Sequence, residues 1–143
     1  MKPIDRVTET AEKISSMEIR GAGRIATAAA ASLKEYALAV QAESFEDFNQ
    51  KTAVAADLLL KTRPTAVSLS NAIRMVMKYK ADDIDGARQA IAANADRFIE
   101  NSQKAVEKIG QIGSKRIRDG DTVLTHCNSN AAISVISAAH KSG

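Results

Sequence analysis

The strongest constraint on the fold is an apolar seam that repeats every seven residues in the second half of the chain. Its members are Ile84, Ile91, Phe98, Ala105 and Ile112, with Ala95, Ser102 and Ile109 between them. Such a repeat predicts one long helix whose apolar side packs against other helices. Asp82 or Asp83 is a suitable N-cap for this helix, which is expected to run to about Gly110. We interpret the seam as core or as an oligomer contact, without chemistry of its own.

The composition favours helices in the rest of the chain as well. Hydrophobic residues make up 45% of the 143 residues but aromatic residues only 3%, so the core must consist of aliphatic side chains and alanine. Two prolines and seven glycines leave room for long helices. Apolar spacing and N-cap residue types predict further helices at residues 3–16, 25–42, 45–61 after Ser44, and 64–79 with Pro64 at the first position.

One stretch departs from the helical pattern. Gly120 and Asp121 predict a turn, and 122–125 is a short apolar, β-branched run typical of a strand. Asn128, Ser129 and Asn130 are N-cap types before a predicted helix at 131–140. The chain is therefore predicted to be mainly α, with about five helices in a domain over residues 1–119 and one strand–helix unit over residues 120–143. One strand cannot form a sheet, so we expect a longer protein or, alternatively, a partner chain that supplies the rest.

The only cysteine, Cys127, lies where the predicted strand ends and the next helix begins. Ligands of open α/β sheets bind at that edge, and free N–H groups at a helix start favour the thiolate. The alternative is a small buried side chain, which is the commoner role of a lone cysteine. His126 is expected to be structural, because adjacent strand residues point to opposite faces.

Two arginines precede predicted helix starts. Arg20, Gly21, Ala22 and Gly23 open onto an alanine-rich segment, and a glycine turn of this kind exposes N–H groups toward an anion. Arg63 stands directly before Pro64 in the same way. Shared binding of a phosphate is one interpretation, and exposed arginines in ordinary turns are the other.

Other classes of partner are disfavoured. A net charge of +3 with a pI near 9.1 is too mildly basic to predict nucleic-acid binding. The basic stretch 104–118 lacks aromatic residues for base stacking and is interpreted as a solvated helix end and loop. There is no signal-peptide pattern and no apolar run of membrane-spanning length, so a cytoplasmic protein without a membrane partner is expected. Two histidines and one cysteine, far apart, predict no metal site.

Three stretches together resemble a known family. They are Arg20-Gly-Ala-Gly23, Arg63-Pro-Thr-Ala-Val67 and Leu124-Thr-His-Cys-Asn128. The family comprises ribose-1,5-bisphosphate isomerase, 5-methylthioribose-1-phosphate isomerase and the alpha, beta and delta subunits of initiation factor 2B. The Arg-Gly-Ala-Gly form is more similar to the ribose-bisphosphate branch, which is mainly archaeal. The resemblance implies a helical domain followed by a Rossmann-like α/β domain, of which 120–143 would be the first strand–helix unit, and assembly as dimers or hexamers.

The resemblance also implies an activity, the isomerisation of ribose 1,5-bisphosphate to ribulose 1,5-bisphosphate in AMP salvage, without a cofactor. Cys127 would be a catalytic acid/base. The residues that would bind the substrate phosphates are Arg20, Gly21, Ala22, Gly23 and Arg63. A second catalytic residue, an aspartate, would lie beyond Gly143, so residues 1–143 alone are expected to be inactive. A non-catalytic regulatory subunit is the alternative, and a free-standing helical interaction module is a third interpretation.

Overall fold

The computed structural model describes residues 2–127 and 129–143, and six helices account for most of them. They are α1 (Pro3–Ser15), α2 (Ala22–Ala39), α3 (Phe45–Leu60), α4 (Val67–Val76), α5 (Ile84–Ser114) and α6 (Asn130–Lys141). The chain forms two compact units, Met1–Ile99 and Glu100–Gly143, and α5 belongs to both. The predicted domain boundary near Asp119 stays a prediction.

The core of the first unit surrounds α2, which packs against α1, α3 and α4. As the composition predicts, this core is built mainly from aliphatic side chains and alanines, with Phe48 and Tyr36 as its buried aromatic residues. Its largest fully buried side chains are Phe48, Ile14, Leu33, Leu59, Leu69 and Ile91. Ala29 and Ala30 of α2 have no exposed surface, and their small side chains let the neighbouring helices approach closely.

In the first unit, two of the three helix starts that were predicted from a cap residue or a proline form as predicted. Ser44 caps α3, because its Oγ accepts a hydrogen bond from the Asp47 N–H at 3.1 Å. Asp83 serves α5 similarly, with its Oδ1 2.7 Å from the Gly86 nitrogen. The predicted helix start at Pro64 is wrong, since α4 begins at Val67. Residues 63–66 form a turn instead, because the fixed φ of proline suits a turn as well as a first helical turn.

The apolar seam of α5 has two different environments. Ile91 and Ala95 are fully buried, and Phe98 packs against the same core, so the core interpretation is confirmed for this part. Farther along, Ile109 and Ile112 are 47% and 56% exposed. The oligomer-contact interpretation of that second part stays a prediction.

The predicted helix end at Gly110 is also wrong, because α5 continues to Ser114. Gly110 and Gly113 lie inside the helix, where they face Ser134 and Val135 of α6. A glycine within a helical pattern can therefore mark close packing rather than a helix end.

The predicted strand at 122–125 does not form, and no strand occurs among residues 2–127 and 129–143. Val123 and Leu124 are 46% and 95% exposed. The physical reason is that an extended segment becomes a strand only beside another strand, and the described residues provide none. The following helix does form, with the Ser129 hydroxyl as its N-cap, 3.3 Å from the Ala132 nitrogen. The mainly α prediction is confirmed, whereas Asn128 lies outside the described residues.

Candidate functional site

The start of α2 has no capping side chain. Gly21 is the N-cap with φ of 95°, a left-handed conformation that a side chain would disfavour. The first backbone bond of the helix runs from the Ile25 nitrogen to the Gly21 oxygen at 3.0 Å. The N–H groups of Ala22, Gly23 and Arg24 therefore have no intrahelical acceptor. No side chain caps this start, and the first turn carries no acidic residue.

The starts of α1 and α3 have carboxylates in their own first turns. Asp5 of α1 accepts a hydrogen bond from the Lys2 nitrogen at 2.7 Å. Asp47 of α3 accepts one from the Glu43 nitrogen at 2.9 Å. The positive end of the α2 dipole lacks such a carboxylate, so an external anion can interact favourably with it.

Arg20 and Arg63 lie next to two such open helix starts. Arg20 is exposed and directly precedes Gly21. Arg63 is partly exposed, in the turn before α4, which also begins without a side-chain cap or an acidic residue. The six ion pairs formed among the described residues all involve other side chains. Neither guanidinium group therefore has a carboxylate partner among the described residues.

At the opposite end of α2, Arg88 of α5 holds the terminal carbonyl groups. Its Nη1 donates to the oxygens of Ala37 and Leu38, both at 2.8 Å, and its Nη2 to that of Val40 at 2.6 Å. The guanidinium also stacks over Phe48, 5.4 Å from the ring centroid. The cation meets the negative end of the α2 dipole, which stabilises the helix.

Asn94 of α5 likewise donates hydrogen bonds to carbonyl groups at the C-terminal end of α4. Its Nδ2 donates to the carbonyl oxygens of Val76 at 3.2 Å and Lys78 at 3.0 Å. Lys34 lies about one turn before Ala37 and Leu38 in α2, and it pairs at 2.6 Å with Asp96, which follows Arg88 in α5 by eight residues. Hence α2 runs antiparallel to α5, and the C-terminal ends of α2 and α4 meet the same part of α5. Sequence reasoning missed both capping side chains.

Cys127 lies in the second unit, three residues before Asn130, where α6 begins. It is exposed, so the alternative interpretation as a buried side chain is wrong. Its φ of 65° is in the left-handed region, which costs a non-glycine residue about 1 kcal/mol. Backbone strain of this kind is concentrated at functional sites. His126 is exposed as well, and among the described residues no group of three His, Cys, Asp or Glu side chains could hold a metal ion.

The described helices include none that is both long and apolar enough to cross a membrane.

The predicted site residues fall into two sets: Arg20, the 21–23 turn and Arg63 belong to the first unit, and Cys127 belongs to the second.

A family model and a curated relative both match this chain. The model of the initiation factor 2 subunit family matches residues 18–143. A ribose 1,5-bisphosphate isomerase of Methanocaldococcus jannaschii is 50% identical over 143 residues, which are 100% of this chain and 46% of the relative.

Two solved structures have the same fold over nearly the whole chain. A 5-methylthioribose 1-phosphate isomerase from Pyrococcus horikoshii OT3 superposes with a TM-score of 0.81 at 29% identity, covering 94% of this chain and 42% of that one. Subunit delta of the translation initiation factor eIF-2B from A. fulgidus gives a TM-score of 0.78 at 27% identity, covering 96% and 43%. The chain thus spans less than half the length of the relatives that it matches.

Proposed function

This chain belongs to the initiation factor 2 subunit family, and from that membership we propose that it is the N-terminal part of an enzyme that converts ribose 1,5-bisphosphate to ribulose 1,5-bisphosphate. The observation that carries the proposal is the 50% identity, over the whole chain, with a relative named ribose 1,5-bisphosphate isomerase. The proposed setting is AMP salvage in the cytoplasm of an archaeon.

The substrate phosphates are proposed to bind at the open helix starts. The free N–H groups of Ala22 and Gly23, together with Arg20, would hold one phosphate, and Arg63 adds a planar guanidinium fork suited to phosphate oxygens. The capping by α5 supports this placement. Because α2 also packs against α4 and the C-terminal ends of both helices meet the same part of α5, their N-terminal ends are expected on the same side of the first unit.

Cys127 is proposed to transfer the proton. Aldose–ketose isomerisation removes a proton from one sugar carbon and returns one to its neighbour, which requires an acid/base pair but no redox cofactor. The exposed thiol in its left-handed backbone conformation is one member of that pair. The other member is proposed to be an aspartate beyond Gly143, in a Rossmann-like domain. The exposed apolar side chains of Val123 and Leu124 support a neighbouring strand there.

A regulatory subunit without catalysis is the second candidate, and its support is the likeness to subunit delta of eIF-2B at a TM-score of 0.78. A thiol at position 127 favours the enzyme, since a regulatory role has no need of an acid/base group. In either case the protein is proposed to assemble as a dimer or hexamer and to bind a sugar phosphate rather than nucleic acid.

The deciding experiment measures ribulose 1,5-bisphosphate formation by the full protein that contains this chain. Cys127→Ser is expected to lower turnover by about 10²–10⁴-fold with nearly unchanged melting temperature. Thr125→Ser, at a neighbouring exposed position, is the matched control and should retain activity. Turnover that survives Cys127→Ser would refute the thiol's role. Sugar-phosphate binding by an inactive wild-type protein would favour the regulatory subunit.

Phosphate binding can be tested separately from catalysis. Inorganic phosphate added to the chain should shift the backbone amide NMR signals of Ala22 and Gly23, and Arg20→Ala and Arg63→Ala should each weaken that response. Arg74→Ala is the control, because Arg74 is exposed and its guanidinium already bonds Asn71 at 2.8 Å. Equal responses in all three variants would contradict the proposed phosphate site.

A further inference from the structure

The second unit contains an unusually close contact between two helices. Gly110 and Gly113 of α5 face Ser134 and Val135 of α6. A Cβ atom at position 113 would lie 2.6 Å from Cγ2 and 3.1 Å from Cγ1 of Val135. A Cβ at position 110 would lie 2.1 Å from the Ser134 Oγ and 3.1 Å from its carbonyl oxygen. The separation of α5 and α6 therefore depends on the absence of side chains at both glycines.

This contact also constrains the position of the first turns of α6. Val135 lies in the second turn of α6, and the helix starts at Asn130 behind the Ser129 cap. Cys127 precedes that start by three residues, so a displacement of α6 carries the thiol with it. We propose that Gly113, assisted by Gly110, is a positioning residue that fixes the location of the Cys127 thiol through the α5–α6 distance. This inference rests on the proposed function of Cys127.

The size of the effect follows from the distances. A contact at 2.6 Å is roughly 1 Å shorter than ordinary carbon–carbon contacts. Val135 is β-branched and stiff in a helix, so it cannot rotate both methyl groups away. Gly113→Ala should therefore push α6 outward by up to about 1 Å. A misplacement of that size can reduce catalysis on the order of 10²-fold.

The test compares three variants of the full protein. Gly113→Ala is expected to lower kcat by about 10- to 100-fold and to leave KM within about twofold, since the proposed phosphate ligands belong to the other unit. Gly113→Ala/Val135→Ala should recover most of kcat, because the remaining Cβ–Cβ distance of 3.5 Å is an ordinary contact. Gly86→Ala in the same helix is the matched control; its nearest neighbour is the Asp83 Oδ1 at 3.1 Å, far along the helix from this contact.

A readout that needs no activity is the amide NMR spectrum of the chain. Signals of residues 125–127 should move in Gly113→Ala, return in the double variant and stay unchanged in Gly86→Ala. A purely structural role would lower stability without moving these signals or separating kcat from KM. If the wild-type protein has no isomerase activity, the proposed function fails, and the NMR comparison alone decides whether Gly113 positions Cys127.

The other outcomes are equally decisive. A kcat for Gly113→Ala equal to that of Gly86→Ala, or unmoved signals at residues 125–127, would overturn the proposal. If Gly113→Ala does not fold, the double variant is compared with Val135→Ala. Recovery of folding and turnover to the Val135→Ala level supports the proposal, and failure to recover refutes it.

Discussion

Replacing Arg88 by alanine should remove the strongest polar link between α5 and α2. The guanidinium donates three hydrogen bonds to the carbonyls at the end of α2 and stacks over Phe48. The last turn of α2 has no basic residue of its own. In the variant these carbonyl groups lose their partner, and the negative end of the helix dipole loses its cation.

The expected cost is about 3.5 kcal/mol, from three hydrogen bonds and one cation–π contact. Hydrogen bonds from a charged donor contribute roughly 1.5–3 kcal/mol each. We take about 1 kcal/mol per bond here, since Arg88 is only partly buried and water can replace part of each interaction. The cation–π contact adds about 0.5 kcal/mol at a site this exposed. Such a loss is a large fraction of the roughly 5–15 kcal/mol that stabilises a domain.

The assay is urea unfolding followed by tyrosine fluorescence. Both tyrosines of the chain, Tyr36 and Tyr79, belong to the first unit, so the signal reports on the helices that Arg88 joins. Arg88→Lys should lose roughly 1–2 kcal/mol, because an ammonium keeps the charge but not the planar fork.

Arg97→Ala is the matched control. Arg97 is an exposed arginine of the same helix, and its contact to the Asn94 Oδ1 is long, at 3.5 Å. It should change the free energy of unfolding by less than about 0.5 kcal/mol. Equal midpoints for Arg88→Ala and Arg97→Ala would refute the capping role.

Three smaller perturbations test other parts of the first unit. Ser32→Ala should stabilise the protein by about 1 kcal/mol in the same assay, because the buried Ser32 hydroxyl has no partner among the described residues; a loss of stability would reveal one. Met17→Gly should stabilise it by about 0.5–1 kcal/mol, since Met17 is half-exposed with φ of 64°, whereas Met17→Val should destabilise it. Hydrogen bonds from Lys51 and from the Glu43 backbone lower the pKa of Asp47 in the folded protein. The ionised Asp47 carboxylate therefore stabilises the fold above the unfolded-state pKa near 3.9, and this stabilisation is lost as the pH falls through the lower pKa of the folded state. The difference in urea midpoint between wild type and Asp47→Asn should accordingly shrink in acid, and a constant difference would contradict this linkage.

The order of residues by itself determined most of the helical architecture. Ser44 and Asp83 begin helices because their side chains reach an N–H group only three residues away. The seam of α5 and the glycine turn before α2 are likewise local patterns, and the family resemblance rests on short stretches of the same kind. Interactions over three to seven residues can be inferred from spacing alone.

Tertiary structure decided the features that join distant residues. Arg88 caps carbonyl groups that lie 48 to 51 positions earlier in the chain, so no local spacing announces it. Gly113 was expected near a helix end, but its packing against Val135 lets α5 continue through it. Residues 122–125 have strand-forming side chains and yet form no strand. Their conformation depends on a neighbouring backbone, because the hydrogen bonds of a strand are made to another segment and not within its own.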